Sequence, residues 1–317
     1  MQKEHRILNM RSPIICGVDG SRASCAAARL ARTIADELAL PLELLHVTYL
    51  RDEAERLACG RALQADLERH LGPHVSLRVE TGHPERRLID ASRRAALLVI
   101  GTRGVGAIRR ALAGSVTTTV TRSAAAPVVV VPRGALSDGV TSLGCGGVVS
   151  AVRDERDLAS VATAACWARD LDLELTLAHV LPAHRLPVAT GIGPPPAGLA
   201  HSAAGLAASA RSMLDEIASL IAPSAPAVCR TRLLDGPVGR ELARLAFIEA
   251  ATLIAVGPVT HGSLAGAFIR SPTTHLLRHA PCPVMVCPSP ESVLAAGLPA
   301  AGEAKGADSA TAGNDAG

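Results

Sequence analysis

Short apolar runs alternate with amphipathic, alanine-rich stretches along most of the chain. The runs at 14–18, 42–47, 75–80, 96–101 and 128–132 read as strands, and 23–39, 52–70, 84–95 and 116–124 read as helices. The strands lack a period-two alternation of apolar and polar positions, so both faces are buried, as in a parallel sheet. Five strands and four helices in βα alternation predict an open, doubly wound α/β unit with helices on both faces.

The pattern occurs twice. Leu44-Leu45-His46-Val47 returns as Leu177-Ala178-His179-Val180, and Leu97-Leu98-Val99-Ile100-Gly101 is matched by the run ending at Gly257. From there the copies align without a gap to Pro127-Val128-Val129-Val130-Val131-Pro132 and Pro283-Val284-Met285-Val286-Cys287-Pro288. The extra length of the second copy falls mostly after Val180, in an exposed-loop segment holding Gly191, Gly193 and Pro194-Pro195-Pro196. This predicts two tandem Rossmann-like domains, each a five-stranded parallel sheet, at 12–134 and 147–290. A linker at 135–146 joins them and a disordered tail follows at 291–317. The apolar terminal strands, Val128 to Val131 and Val284 to Cys287, would aggregate as open edges. They are expected to pair within the chain as a pseudo-dimer, with a homodimer allowed but not required.

Composition narrows the chemistry. There are two Phe, one Trp and one Tyr, so the core must be built from Ala, Leu, Val and Ile. The 32 basic and 29 acidic residues leave no nucleic-acid footprint in the net charge. Lys3 and Lys305 are the only lysines, which excludes a Walker P-loop and argues against Schiff-base chemistry. No run is long enough to span a membrane, and no apolar signal core follows the N-terminal charges. The eight cysteines form no CxxC pair; Cys282 and Cys287 should face opposite sides of a strand, and Cys16 and Cys166 sit in apolar patterns. A reduced, cytoplasmic protein without membrane or nucleic-acid partners is the expectation.

In an open α/β sheet, ligands bind beyond the carboxyl ends of the strands where the strand order reverses. Three segments should converge there: Gly17-Val18-Asp19-Gly20-Ser21, Val47-Thr48, and Gly101-Thr102-Arg103-Gly104 through Gly114-Ser115-Val116-Thr117. Glycines permit close backbone approach, and Ser115 at a helix start suits an anion. A glycine-rich turn before a Ser-capped helix would account for the glycines alone. The joint spacing of Gly101, Gly104 and Gly114-Ser115 resembles the G-2x-G-9x-G-(S/T) signature of ATP-binding universal stress proteins. Val18-Asp19-Gly20-Ser21 and the Pro-bracketed valine strand resemble that family too.

The resemblance implies ATP, with or without Mg²⁺, in the first domain. Asp19, with Gly17 and Val18, would lie at the adenosine end, and Val47 would give backbone contacts to adenine. Gly101, Arg103 and Gly104 would line the ribose and phosphates. Gly114, Ser115, Val116 and Thr117 would hold phosphates through N–H and hydroxyl groups. Arg103 either supplies the charge that a P-loop lysine gives elsewhere or is a solvated surface arginine.

The second copy keeps Gly257 but has Thr260 and Arg270 for the other glycines, Pro272 for Val116, and Val152 aligned with Asp19. Arginine obstructs a phosphate cradle and proline removes a donor, so this copy is expected to keep the fold without the nucleotide. His83 reads as a turn residue, and His46 and His179 as packing residues shared by both copies. Arg86-Arg87 and Arg93-Arg94 read as the solvated face of the third helix. Three functions compete: an ATP-binding regulatory stress-response module, a slow ATPase, and a nucleotide-independent interaction scaffold. No motif supplies a catalytic base or an Asp pair for Mg²⁺, which ranks binding first.

Overall fold

A computed structural model describes residues 12–73, 75–102, 115–132, 146–181, 197–258 and 271–295, with 197–203 described by their backbone alone. The first repeat runs β1 (Ile14–Gly17), α1 (Arg22–Leu38), β2 (Leu42–Thr48), α2 (Glu53–Leu71), β3 (Leu77–Thr81), α3 (Pro84–Ser92), β4 (Leu97–Gly101), α4 (Ser115–Ser123) and β5 (Val128–Val131). The second runs β6 (Val148–Ala151), α5 (Leu158–Asp170), β7 (Leu175–Leu181), α6 (Ala197–Ile221), β8 (Cys229–Asp235), α7 (Val238–Ile248), β9 (Leu253–Val256), α8 (Pro272–His279) and β10 (Val284–Val286). A 3-10 turn, Glu155–Asp157, leads into α5, and a short helix α9 (Pro290–Ala295) follows β10.

The ten strands form one sheet in the order β3-β2-β1-β4-β5-β10-β9-β6-β7-β8. Within each repeat every pair is parallel, and the order reverses between β1 and β4 and again between β6 and β9. The repeats join where β5 meets β10 antiparallel, with Val284 opposite Val130, Met285 opposite Val129 and Val286 opposite Val128. The pairing expected of the terminal strands is therefore present within one chain, and it turns two would-be edges into the centre of the sheet.

Two apolar layers sandwich the sheet. Ile14, Cys16, Leu44 and Val99 face α1 and α2, while Ile15, Leu45, Leu98 and Ile100 face the α3 and α4 side. The alternation along β1 and β4 explains why neither strand shows a polar face. Each fully buried Leu or Ile contributes about 1.5–3 kcal/mol relative to exposure. α1 fits against the sheet through its run of small residues, Ala27, Ala28 and Ala31, all inaccessible to solvent. Cys282 and Cys287 lie in opposite layers, as the strand period requires.

Two boundaries differ appreciably from expectation. The third helix ends at Ser92, because its hydroxyl donates to the Ile89 carbonyl at 2.6 Å and accepts from the Ala125 N–H at 3.0 Å. Arg93 and Arg94 thus lie beyond the helix; both are exposed, and Arg94 pairs with Glu43 at 2.7 Å. Arg87 likewise donates to the Thr81 carbonyl at 3.1 Å. The tail expected from 291 opens with α9, whose start is capped by the Ser289 hydroxyl accepting from the Ser292 N–H at 3.1 Å. The linker at 135–145, the loop at 182–196 and the tail beyond 295 lie outside the described residues.

Candidate functional site

The reversal between β1 and β4 brings the end of β1 beside the end of β4, and the first turn of α4 is tied to β4. After β1 the chain turns sharply: the Asp19 carboxylate accepts from the Ser21 N–H at 3.0 Å, and Gly20 takes φ +79°. This is an Asx turn. Ser21 then caps α1 by accepting from the Ser24 N–H at 3.2 Å, and the buried Ser24 hydroxyl accepts from the Asp19 N–H at 3.2 Å. Asp19 is half-buried at the tip of β1. Val18 is buried, and Val47 near the end of β2 is half-buried against the α3-side layer.

The glycines at the strand ends have packing reasons of their own. A Cβ on Gly101 would stand 2.7 Å from the carbonyl carbon of Ala23, so only glycine lets α1 approach β4. A Cβ on Gly17 would meet Leu88 at 3.0 Å and Ile100 at 3.2 Å. Thr117, expected to offer its hydroxyl to phosphates, is buried and donates to the Gly101 carbonyl at 3.3 Å. Its role is to tie α4 to β4. Ser115 is exposed and Val116 half-buried in the first turn of α4. Arg103, Gly104 and Gly114 lie outside the described residues.

The Thr102 hydroxyl, directly after Gly101, is buried and has no hydrogen-bond partner among the described residues. An orphaned buried hydroxyl at the end of β4 fits a polar ligand group that would complete it.

The second repeat corrects the alignment made from sequence. Gly17 pairs with Leu45 in the first repeat, and Ala151 pairs with Ala178 in the second. His46 Nδ1 lies 2.9 Å from the Val18 carbonyl, and His179 Nδ1 lies 2.8 Å from that of Val152. A carbonyl only accepts, so both rings carry hydrogen on Nδ1 and clamp the same point. Val152 therefore matches Val18, and the residue at the Asp19 position is Arg153. The turn into α5 is one residue shorter than the turn into α1, and that shift was not visible in the apolar pattern.

Around Arg153 the charges are rebuilt. Asp157 occupies the place of Ser24: its carboxylate accepts from the Arg153 N–H at 2.8 Å and from the Arg153 guanidinium at 2.7 Å. Asp157 is 3% exposed, and a Cβ on Gly257 would stand 2.7 Å from its Oδ1. Sequence reasoning missed Ser24, Arg153 and Asp157. The basic–acidic pair four residues apart was a readable signal for the last two.

Beyond the ends of β6, β7 and β9 the second repeat holds a cavity of about 620 Å³. Its walls are mostly apolar, from Val152, Val180, Leu234, Leu242, Val256 and Leu276, while Arg153, Asp157, His179 and Ser271 supply polar groups. Ser271 caps α8, accepting from the Thr274 N–H at 3.1 Å, and Pro272 takes the first helical position. Thr260 and Arg270 lie outside the described residues.

The remaining candidates have structural partners. His83 precedes α3 with its ring edge-on to Tyr49 at 5.6 Å and Glu85 at 3.6 Å. Burial pushes the thiols of Cys282 and Cys287 up to about 12, and raises that of Cys16 further. Among the described residues, no helix is long and apolar enough to cross a membrane.

Comparison with known proteins places this architecture. The universal stress protein family matches residues 10–132 and again 148–288. A universal stress protein of Mycolicibacterium smegmatis is 37% identical over 139 residues, covering 37% of this chain and 47% of that protein. One of Mycobacterium tuberculosis is 34% identical over 133 residues, covering 38% and 45%. The chain thus spans about half the length of the curated relatives it matches. Among solved structures, a functionally unknown protein of Pseudomonas aeruginosa superposes with a TM-score of 0.59 at 16% identity, over 90% of this chain and 95% of that one. A universal stress protein of Archaeoglobus fulgidus superposes with a TM-score of 0.58 at 18% identity, over 87% and 98%. Two family matches in tandem cover most of the sequence, and the chain belongs to the universal stress protein family.

Proposed function

We propose that the first repeat binds ATP or another adenine nucleotide and that the chain acts as a regulatory, stress-response module. The observation that carries this reading is the sequence spacing of Gly101, Gly104 and Gly114-Ser115, with Gly101 closing β4 and Ser115 opening α4, which is tied to β4 by the Thr117 hydroxyl. Membership of the family supports it, as does the orphaned Thr102 hydroxyl. In this reading the first-turn N–H groups of α4 face the phosphates. Asp19 and Val18 flank the adenosine, Val47 offers backbone to adenine, and Arg103 adds charge near the phosphates. When bound, ATP supplies a ligand-dependent stabilisation of the first repeat that a partner can read.

The test is equilibrium binding of ATP to the full chain and to Gly114→Arg, which copies Arg270 from the second repeat into the first. Binding by the parent and its loss in the variant, with circular dichroism unchanged, is the expected result. Equal affinity in both chains would remove the proposed site, and turnover of ATP by the parent would move the reading towards a slow ATPase.

A further inference from the structure

We propose that the second repeat binds a small amphipathic carboxylic acid, its apolar body in the cavity and its carboxylate against Arg153. The cavity volume of about 620 Å³ lies in the range of small-molecule sites, and its walls offer apolar surface to most of a ligand. Polar groups are gathered at the strand tips. Arg153 stands there in place of Asp19, so the charge facing a ligand is inverted between the repeats: a carboxylate in the first, a guanidinium in the second. Asp157 holds Arg153 by one guanidinium nitrogen and by its backbone N–H, which fixes the orientation of the fork. A guanidinium carries five N–H donors in a plane, and the others match a carboxylate.

The same site disfavours a polyphosphate. Of the first-turn donors of α8, the Thr274 N–H is taken by Ser271 and Pro272 has none. Asp157 and Asp235 both line the cavity and repel additional negative charge. A single carboxylate takes the guanidinium donors that Asp157 leaves, whereas a triphosphate brings several more negative charges against the same two carboxylates.

Calorimetric titration of the full chain with octanoate, below its micellar concentration, and with 1-octanol tests this assignment. One octanoate site per chain is expected, unaffected by ATP. The charge-balanced pair Arg153→Gln with Asp157→Asn should weaken octanoate by about tenfold, the loss expected for a hydrogen bond to a charged group, and leave octanol unchanged. Val238→Trp, which fills the cavity from the start of α7, should abolish both. Absence of octanoate binding to the parent chain overturns the proposal. So do displacement by ATP, equal losses for acid and alcohol in the charge pair, and full binding by Val238→Trp.

Discussion

The Arg153 N–H donates to the Asp157 carboxylate at 2.8 Å, and the guanidinium returns to the same carboxylate at 2.7 Å. The first repeat makes the corresponding contact with a neutral partner, the Asp19 N–H to the Ser24 hydroxyl at 3.2 Å. The same turn is thus built twice, once with a hydroxyl and once with a buried charge, and the choice alters what each site presents to a ligand.

That difference has a stability consequence. Hydrogen bonds to charged groups contribute about 1.5–3 kcal/mol and neutral ones about 0.5–1.5 kcal/mol. The guanidinium side of the pair is discounted, because the Arg153 side chain is 53% exposed. Asp157→Ala is expected to lower stability by about 1–3 kcal/mol, and Ser24→Ala by about 1 kcal/mol. Urea unfolding at pH 7 measures both, and a larger loss at Ser24 would contradict the assignment.

Gly101→Ala should be costly regardless of any ligand. The new Cβ meets the backbone of Ala23, which cannot rotate away, so α1 must shift off the sheet. A loss of about 1–3 kcal/mol is expected, as for overpacked cores. Thermal unfolding without nucleotide reads it, and an unchanged midpoint would show that helix packing does not require the glycine.

Met285 is fully buried at the junction of the repeats, opposite Val129. Met285→Ala should cost about 2–5 kcal/mol, the range for buried Met to Ala. The single tryptophan, Trp167, is buried in α5 and reports the second repeat. Its fluorescence transition should move together with the far-ultraviolet circular dichroism of the whole chain. A shift in neither signal would mean the β5–β10 seam contributes little.

The buried thiols make stability fall at alkaline pH. Cys282 and Cys287 keep their protons in the folded chain up to about 12, whereas the same thiols ionise near 9.0 when unfolded. Their contribution is fully present below pH 9 and is lost as pH rises towards 12, by about 1.4 kcal/mol per pH unit per thiol. Cys287→Ala should flatten the fall in unfolding free energy between pH 9 and 11, and an unaltered slope would exclude this source.

Much of the fold was legible because apolar periodicity reports burial directly. The apolar runs at 128–131 and 284–286 announced both the sheet and its seam. The turns were harder. A strand-to-helix turn that is one residue shorter changes no apolar position, so Val152 was matched to Asp19 when Arg153 occupies that place. The roles of glycines were harder still. Gly101 reads in sequence as a phosphate-loop residue, yet the neighbour that requires it is Ala23, distant in the chain and chemically plain. Thr117 is a phosphate contact by family resemblance, and the bond its hydroxyl donates to the Gly101 carbonyl is invisible in sequence.

The central claim is an asymmetric pair of sites on a symmetric scaffold, with nucleotide in the first repeat alone. Calorimetric titration of the purified, nucleotide-free chain with ATP tests this most directly. The account predicts a stoichiometry of one ATP per chain; two equivalent sites, or no binding, would contradict it.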